Sequence, residues 1–213
     1  MSDRGPPAVH PIETRSYAIM ESLVDLSAWP PGARDVVARM IHSTADESFA
    51  VSARVGGDVV EAAVAGLRRG APLVCDARMV VAGVAAAARM TVVHCYLDEV
   101  AVPAGEQTRS AAAVDHAARI HPDGAIWVVG NAPTALARLI ELSEAGGLRP
   151  AAVIGLPVGY VGAAEAKAAL WASDLAAVSI TNEGRRGGSP VAAAAVNALV
   201  RLATRSDPNP APR

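Results

Sequence analysis

The sequence predicts an α/β protein: a three-layer sandwich on an open, mostly parallel, Rossmann-like sheet, with two N-terminal helices packed against it. Three observations carry this expectation. From residue 50 onward, short apolar runs alternate with alanine-rich segments of helical period, which is the pattern of βαβ units. The runs are apolar throughout, as strands buried on both faces are. The 213 residues are 52% hydrophobic but only 3% aromatic, so helices are expected to pack on the sheet through alanine and not around bulky rings.

Taken in order, residues 15–28 read as the first helix, with Ile19, Met20, Leu23 and Val24 at helical spacing. Trp29-Pro30-Pro31-Gly32 closes it. A second helix carries Val36, Val37, Met40 and Ile41 on one face and runs into His42. Strands are then expected at 50–55, 72–75, 91–97, 125–129, 151–156 and 176–180, and helices at 57–69, 77–88, 107–120, 133–145, 162–172 and 190–203. Arg54 inside the first run marks that strand as weak or as a sheet edge. The Pro-rich polar ends, 1–9 and 204–213, read as disordered tails around a single domain over 10–203.

Composition excludes several classes of function. A net charge of −2 provides no global basic field for nucleic acid or a membrane surface. With one Phe, three Trp and three Tyr, stacking platforms for single strands are scarce. Neither an h-region behind a charged start nor an apolar stretch of about 18 residues is found. Cys75 and Cys95 each lie in an apolar run without CxxC or His spacing, so no metal site is expected. The expected compartment is the reduced cytoplasm.

Ligands of open α/β sheets bind beyond the C-terminal strand ends, here the loops 76–79, 98–109, 130–134, 155–162 and 181–190. Gly130-Asn131-Ala132-Pro133-Thr134 opens a helix, with Asn131 as the expected N-cap, and Gly187-Gly188-Ser189-Pro190 repeats the pattern with Ser189. Such helix starts hold anions, or are simply caps. Neither nucleotide-binding glycine signature is present. Arg15, Arg109, Arg185 and Arg186 each stand at or just before an expected helix start, where a cation opposes the dipole. Two readings stay open: binding of a polycarboxylate, or local pairing with Glu13, Glu106 and Glu183. Of the histidines, His10 falls in the tail, His94 inside a strand, and His116 and His121 on or after a polar helix face. His42 ends a helix, where the dipole favours its cationic form; a general acid and a structural C-terminal histidine are both compatible with that placement.

These segments, in order, resemble the precorrin-8X methylmutase family of corrinoid biosynthesis. The matching stretches are Pro11-Ile12-Glu13-Thr14-Arg15-Ser16-Tyr17, Arg39-Met40-Ile41-His42-Ser43-Thr44-Ala45-Asp46, Cys75-Asp76 through Met79 and Gly83, Thr108-Arg109-Ser110-Ala111-Ala112, Gly130-Asn131-Ala132-Pro133-Thr134, Gly155 through Glu165, and Gly184 through Ser189. The resemblance runs from about residue 11 to 203. It implies an α/β homodimer with its site near the subunit interface. It also implies an isomerase that moves a methyl group from C-11 to C-12 of precorrin-8X to give hydrogenobyrinate, or does the same on cobalt-precorrin-8. No cofactor is expected. The family's catalytic histidine falls on His42 and its substrate-binding Ser and Arg on Ser16 and Arg109. With the flanking motif residues and the loop arginine, the expected substrate-binding set is Arg15, Ser16, Thr108, Arg109, Ser110 and Asn131. One departure stands out: Gly83-Val84 is followed by Ala85-Ala86 where many members carry Thr. The competing readings are a corrinoid-binding protein without turnover and a nucleotide-binding enzyme; the missing glycine fingerprint weighs against the second.

Overall fold

The structure is a computed structural model that describes residues 10–101 and 105–205. The expected tails, apart from Thr204 and Arg205, and part of the 98–109 loop lie outside the described residues. Among the described residues six strands form one sheet in the order β1-β6-β5-β4-β2-β3. The strands are β1 (Ala53–Val55), β2 (Leu73–Cys75), β3 (Val93–His94), β4 (Ile126–Val129), β5 (Ala152–Gly155) and β6 (Ser179–Asn182). β1 alone is antiparallel and closes one edge against β6, as Arg54 suggested. β2, β4 and β5 are buried along their whole length, so continuous apolar runs satisfy both faces.

Helices cover the sheet on both sides. On one side lie α2 (Pro31–Thr44), α4 (Val59–Arg68), α5 (Arg78–Gly83) and α9 (Ser189–Thr204). The other side is covered by α6 (Arg109–Ile120), α7 (Pro133–Glu144) and α8 (Ala163–Ala172). α9 is the central pillar of the first layer: its alanines 192 to 195 are all buried, and it packs on α2, α4 and α5. α1 (Pro11–Leu23) lies on α2 at the outside. No helix of the described residues is long and apolar enough to cross a membrane.

Several boundaries differ from the sequence expectation. α1 starts at Pro11, not residue 15, with the His10 ring accepting from the Ile12 N–H at 3.2 Å. It stops at Leu23, because Val24 turns extended and Asp25 accepts from the Ser27 N–H at 2.8 Å. Arg15 therefore sits in the second turn and not at the helix start. Residues 50–52 of the first expected strand belong instead to the short helix α3 (Phe49–Ser52), set by an Asp46 turn that caps the Ser48 N–H. The last strand begins at Ser179, not 176, because 176–178 form a 3-10 turn. Its polar residues are satisfied internally: Ser179 Oγ donates to the Leu175 carbonyl at 2.7 Å and Thr181 Oγ1 to the Gly155 carbonyl at 2.6 Å.

Candidate active site

Sheet order reverses between β2 and β4, since the helix after β2 goes to one face and the helix after β4 to the other. Ligands commonly enter such a crevice. Here Asp76, the residue after β2, occupies it. Its carboxylate accepts the N–H groups of Gly130, Asn131 and Ala132 at 2.9, 2.8 and 2.7 Å. Burial pushes the carboxyl up, and these three donors pull it back. The helix-start N–H groups expected to hold a substrate anion are thus already filled from within. The N-cap of α7 is Ala132, not Asn131, and Asn131 is exposed beside it. Gly130 is required by packing: a Cβ there would lie 2.9 Å from Ala192 and Val80 and 3.0 Å from the Ser189 backbone. The N-cap of α9 is likewise Gly188 and not Ser189.

Arg109 is the first residue of α6, as expected. Its guanidinium meets Asp98 at 3.3 Å, and Arg78 shares the same carboxylate. All three are exposed. Thr108 caps α6, accepting from the Ala111 N–H at 3.2 Å, and pairs with Thr134 Oγ1 at 2.7 Å. Ser110 borders a narrow cavity with Asp76, Cys75 and Tyr96. Behind it His94, inside β3 as expected, and His116 and His121, on and just after α6 as expected, gather around Tyr96, whose hydroxyl lies 2.7 Å from His121 Nε2.

His42 belongs to a second cluster, between α1 and α2. It lies in the last turn of α2, which ends on the left-handed Ala45 (φ 50°). Ser16 Oγ is 3.1 Å from His42 Nδ1. The Tyr17 ring stacks flat on the imidazole, with centroids 4.5 Å apart at 2°. One turn earlier, Arg39 Nη1 donates to Glu13 Oε1 at 3.0 Å, and Arg201 from α9 donates to the same oxygen at 3.0 Å. The two guanidiniums hold the Glu13 carboxyl below its usual range. Burial first, and then Arg39, lowers the His42 pKa; Glu13 opposes them. The helix-end expectation of a favoured cation is not met: desolvation and the neighbouring Arg39 bias His42 toward the neutral form in the free protein. When the Ser16 hydroxyl donates to Nδ1, the imidazole proton resides on Nε2.

Beside this cluster a cleft of about 580 Å³ opens between α1, α2 and α9, lined by Tyr17, Glu13, Arg34, Arg39, Arg201 and Arg205 among others. The structure therefore brings Ser16 and His42 together, and separately Thr108, Arg109 and Ser110. Of the two open readings of the arginines, pairing with the nearby Glu13, Glu106 and Glu183 takes another form among the described residues: Glu13 takes Arg39 and Arg201, Glu183 takes Arg54, Arg109 takes Asp98, and Arg186 takes Asp46. Asp76, Arg39 and Arg201 were not singled out from the sequence as site residues. Asp76 is an acid directly after a fully apolar strand, and both it and Arg39 lie in stretches that carry the family resemblance; Arg201 has no such signal, because its partner Glu13 lies on another helix.

The precorrin-8X methylmutase family model matches residues 11–202. A precorrin-8X methylmutase of Pseudomonas aeruginosa is 41% identical over 197 residues, covering 88% of this chain and 93% of that protein. A cobalt-precorrin-8 methylmutase of Methanothermobacter thermautotrophicus is 39% identical, covering 90% and 92%. The crystal structure of precorrin-8X methylmutase from Thermus thermophilus superposes with a TM-score of 0.81 at 38% identity, covering 91% of this chain and 98% of that one.

Proposed function

The chain belongs to the precorrin-8X methylmutase family, and on that premise we propose that His42, oriented by Ser16 and Tyr17, is the group that polarises the macrocycle. The protein is an isomerase of corrin biosynthesis. The reaction moves a methyl group from C-11 to C-12 of precorrin-8X to give hydrogenobyrinate, or does the same on cobalt-precorrin-8; the C-11 bond breaks as the C-12 bond forms, and the product keeps every atom of the substrate.

The observation that carries the proposal is the Ser16–His42–Tyr17 arrangement beside an arginine-lined cleft. A neutral imidazole with its proton on Nε2 is a hydrogen-bond donor. The substrate brings several carboxylates, and negative charge near His42 raises its proton affinity. Binding thus moves a histidine held low in the free protein toward donation, where it stabilises charge developing in the ring. In this reading Arg15, Ser16, Thr108, Arg109, Ser110 and Asn131 supply the substrate contacts. Arg109 exchanges Asp98 for a substrate carboxylate, and an exposed ion pair makes that exchange cheap.

The working unit is a homodimer in the cytoplasm. Ile12, Ile19 and Leu23 are 73%, 53% and 63% exposed, and with Ser16 they make one stripe along α1. A second copy covering that stripe puts the interface next to Ser16 and His42, with about 1,000 Å² or more buried in total. Sedimentation at micromolar concentration is expected to give twice the chain mass; a monomer refutes it. The deciding experiment for the function is incubation with precorrin-8X and, separately, its cobalt form, following the visible spectrum. Relatives named for each substrate stand within two percentage points of identity, 41% and 39%, so both arms are run. A bound but unchanged chromophore would establish corrinoid binding without turnover.

A further inference from the structure

Lys167 lies on the buried side of α8 and is 1% exposed. Buried lysines are rare unless paired, yet among the described residues no carboxylate pairs with this one. Its ammonium donates to Asn182 Oδ1 at 3.0 Å and to the Arg186 carbonyl. Asn182 Nδ2 donates to the same carbonyl at 3.1 Å and to the Glu183 carbonyl at 2.9 Å. Two buried side chains therefore converge on one short loop, 183–188.

That loop is tied on both sides. The Glu183 N–H donates to the Ser52 carbonyl at 2.8 Å, and the Arg186 guanidinium reaches Asp46 and Ser48. On the other side the Gly188 N–H donates to the Leu156 carbonyl at 2.8 Å and the Gly159 N–H to the Arg185 carbonyl at 3.2 Å. Gly187 leaves no room for a Cβ, which would lie 2.4 Å from the Leu156 and Pro157 carbonyl oxygens. Asp46 stands four residues after His42, just beyond the left-handed end of α2. A single chain of contacts runs from Lys167 through the Arg186 carbonyl and guanidinium to the segment that ends the His42 helix.

We propose that Lys167 is a positioning residue for the methyl shift: its buried ammonium fixes the 183–188 loop, so that Arg186 braces the end of the His42 helix. The proposal rests on His42 acting at the macrocycle. Burial holds the Lys167 amine down to about 8. The charged groups that share its cavity are Arg54 and Glu183, which pair with each other, while Arg186 turns its guanidinium to Asp46. As pH rises through 8 the ammonium becomes an amine, the charge-assisted bonds weaken, and the brace loosens.

The test uses the full chain and the spectral assay. Lys167→Met is expected to lose about tenfold or more in kcat, the scale of a displaced reacting group, with KM within twofold and a Tm at or above wild type. Arg186→Ala is expected to reproduce that loss, and the double variant to be no slower than the slower single. Wild-type kcat should fall above pH 8, and Lys167→Met should lack that limb. Should Lys167→Met fail to fold, the wild-type limb and Arg186→Ala decide. A Lys167→Met kcat near wild type overturns the proposal, as does a wild-type kcat flat to pH 9.5. His42→Ala separates the two claims. An inactive His42→Ala beside a fully active Lys167→Met removes only the role of Lys167, whereas an active His42→Ala removes the reading of the site.

Discussion

Replacing Asp76 by alanine removes one carboxylate and strands three backbone donors. The bonds to Gly130, Asn131 and Ala132 are all 2.9 Å or shorter. Hydrogen bonds to a charged group contribute about 1.5–3 kcal/mol each, so the gross loss is about 4.5–9 kcal/mol. Desolvating the carboxylate, 7% exposed in the fold, costs several kcal/mol and offsets part of this. Breaking a buried charged network from one side typically leaves a deficit of about 3–5 kcal/mol. The upper half of that range is expected, because the loop cannot shift to find other acceptors: Gly130 is already against Ala192, Val80 and Ser189. Asp76→Asn keeps an acceptor but turns an amide donor toward the N–H groups, and should cost about 2 kcal/mol or more, the scale of an unsatisfied buried donor. Urea unfolding with linear extrapolation measures both. A loss under about 1 kcal/mol for Asp76→Ala would show that the loop holds without its carboxylate, and would reopen its N–H groups as an anion site.

Three further outcomes follow from the site. His42→Ala should lower turnover by about 10²-fold or more, the usual scale for a proton donor, while a bound product still shifts the absorption spectrum; turnover near wild type removes His42 from the chemistry. Arg109→Ala should weaken substrate binding by about 1.5–3 kcal/mol yet leave stability within about 0.5 kcal/mol, since its pair with Asp98 is exposed; lost stability with unchanged affinity makes it a structural residue. Lys167 has a folded-state pKa of about 8 against an ordinary 10.5, so the unfolded chain binds more protons between these values. Its contribution to stability therefore rises with pH across that window, by up to about 3 kcal/mol. Unfolding of wild type and Lys167→Met at pH 7.5 and 10 isolates this term, and an identical pH response in both rules it out.

Apolar patterning made the sheet legible. β2, β4 and β5 are short runs such as Ile126-Trp127-Val128-Val129, buried along their whole length, and their alternation with helical segments marks them as parallel strands. Where residues are satisfied by tertiary partners the pattern fails. Ser179, Thr181 and Asn182 sit in a buried strand because the Leu175 and Gly155 carbonyls and Lys167 meet them, none of which is visible in local hydropathy. His10 caps α1 with a ring nitrogen, an unusual cap that hides the helix start despite Pro11. For the site, Ser16 and His42 carried the family resemblance and do meet. The sign of the His42 shift could not be read locally, because it depends on burial and on Arg39 and Arg201, which converge on Glu13 from two other turns of helix.

The same separation explains which groups remain for a polycarboxylate substrate. Glycine-rich strand-to-helix loops suggest free N–H groups, but this fold satisfies several of them from within, by a side chain after β4 and by a backbone carbonyl before α9. Asp76 takes the N–H groups after β4, and the loop before α9 is pinned by Lys167, Asn182 and the Leu156 carbonyl. What stays exposed is side-chain charge, as in Arg109 and Arg78 on Asp98. Exposed guanidinium–carboxylate pairs are worth little, so an incoming carboxylate can replace an internal one at small cost. The backbone loops, by contrast, are tied by hydrogen bonds from Asp76, Lys167 and Asn182. Internal polar groups thus fix the loop geometry, and exchangeable surface arginines meet the substrate. An arginine variant should therefore change affinity with little effect on stability, whereas changes at Asp76 or Lys167 should act through the scaffold.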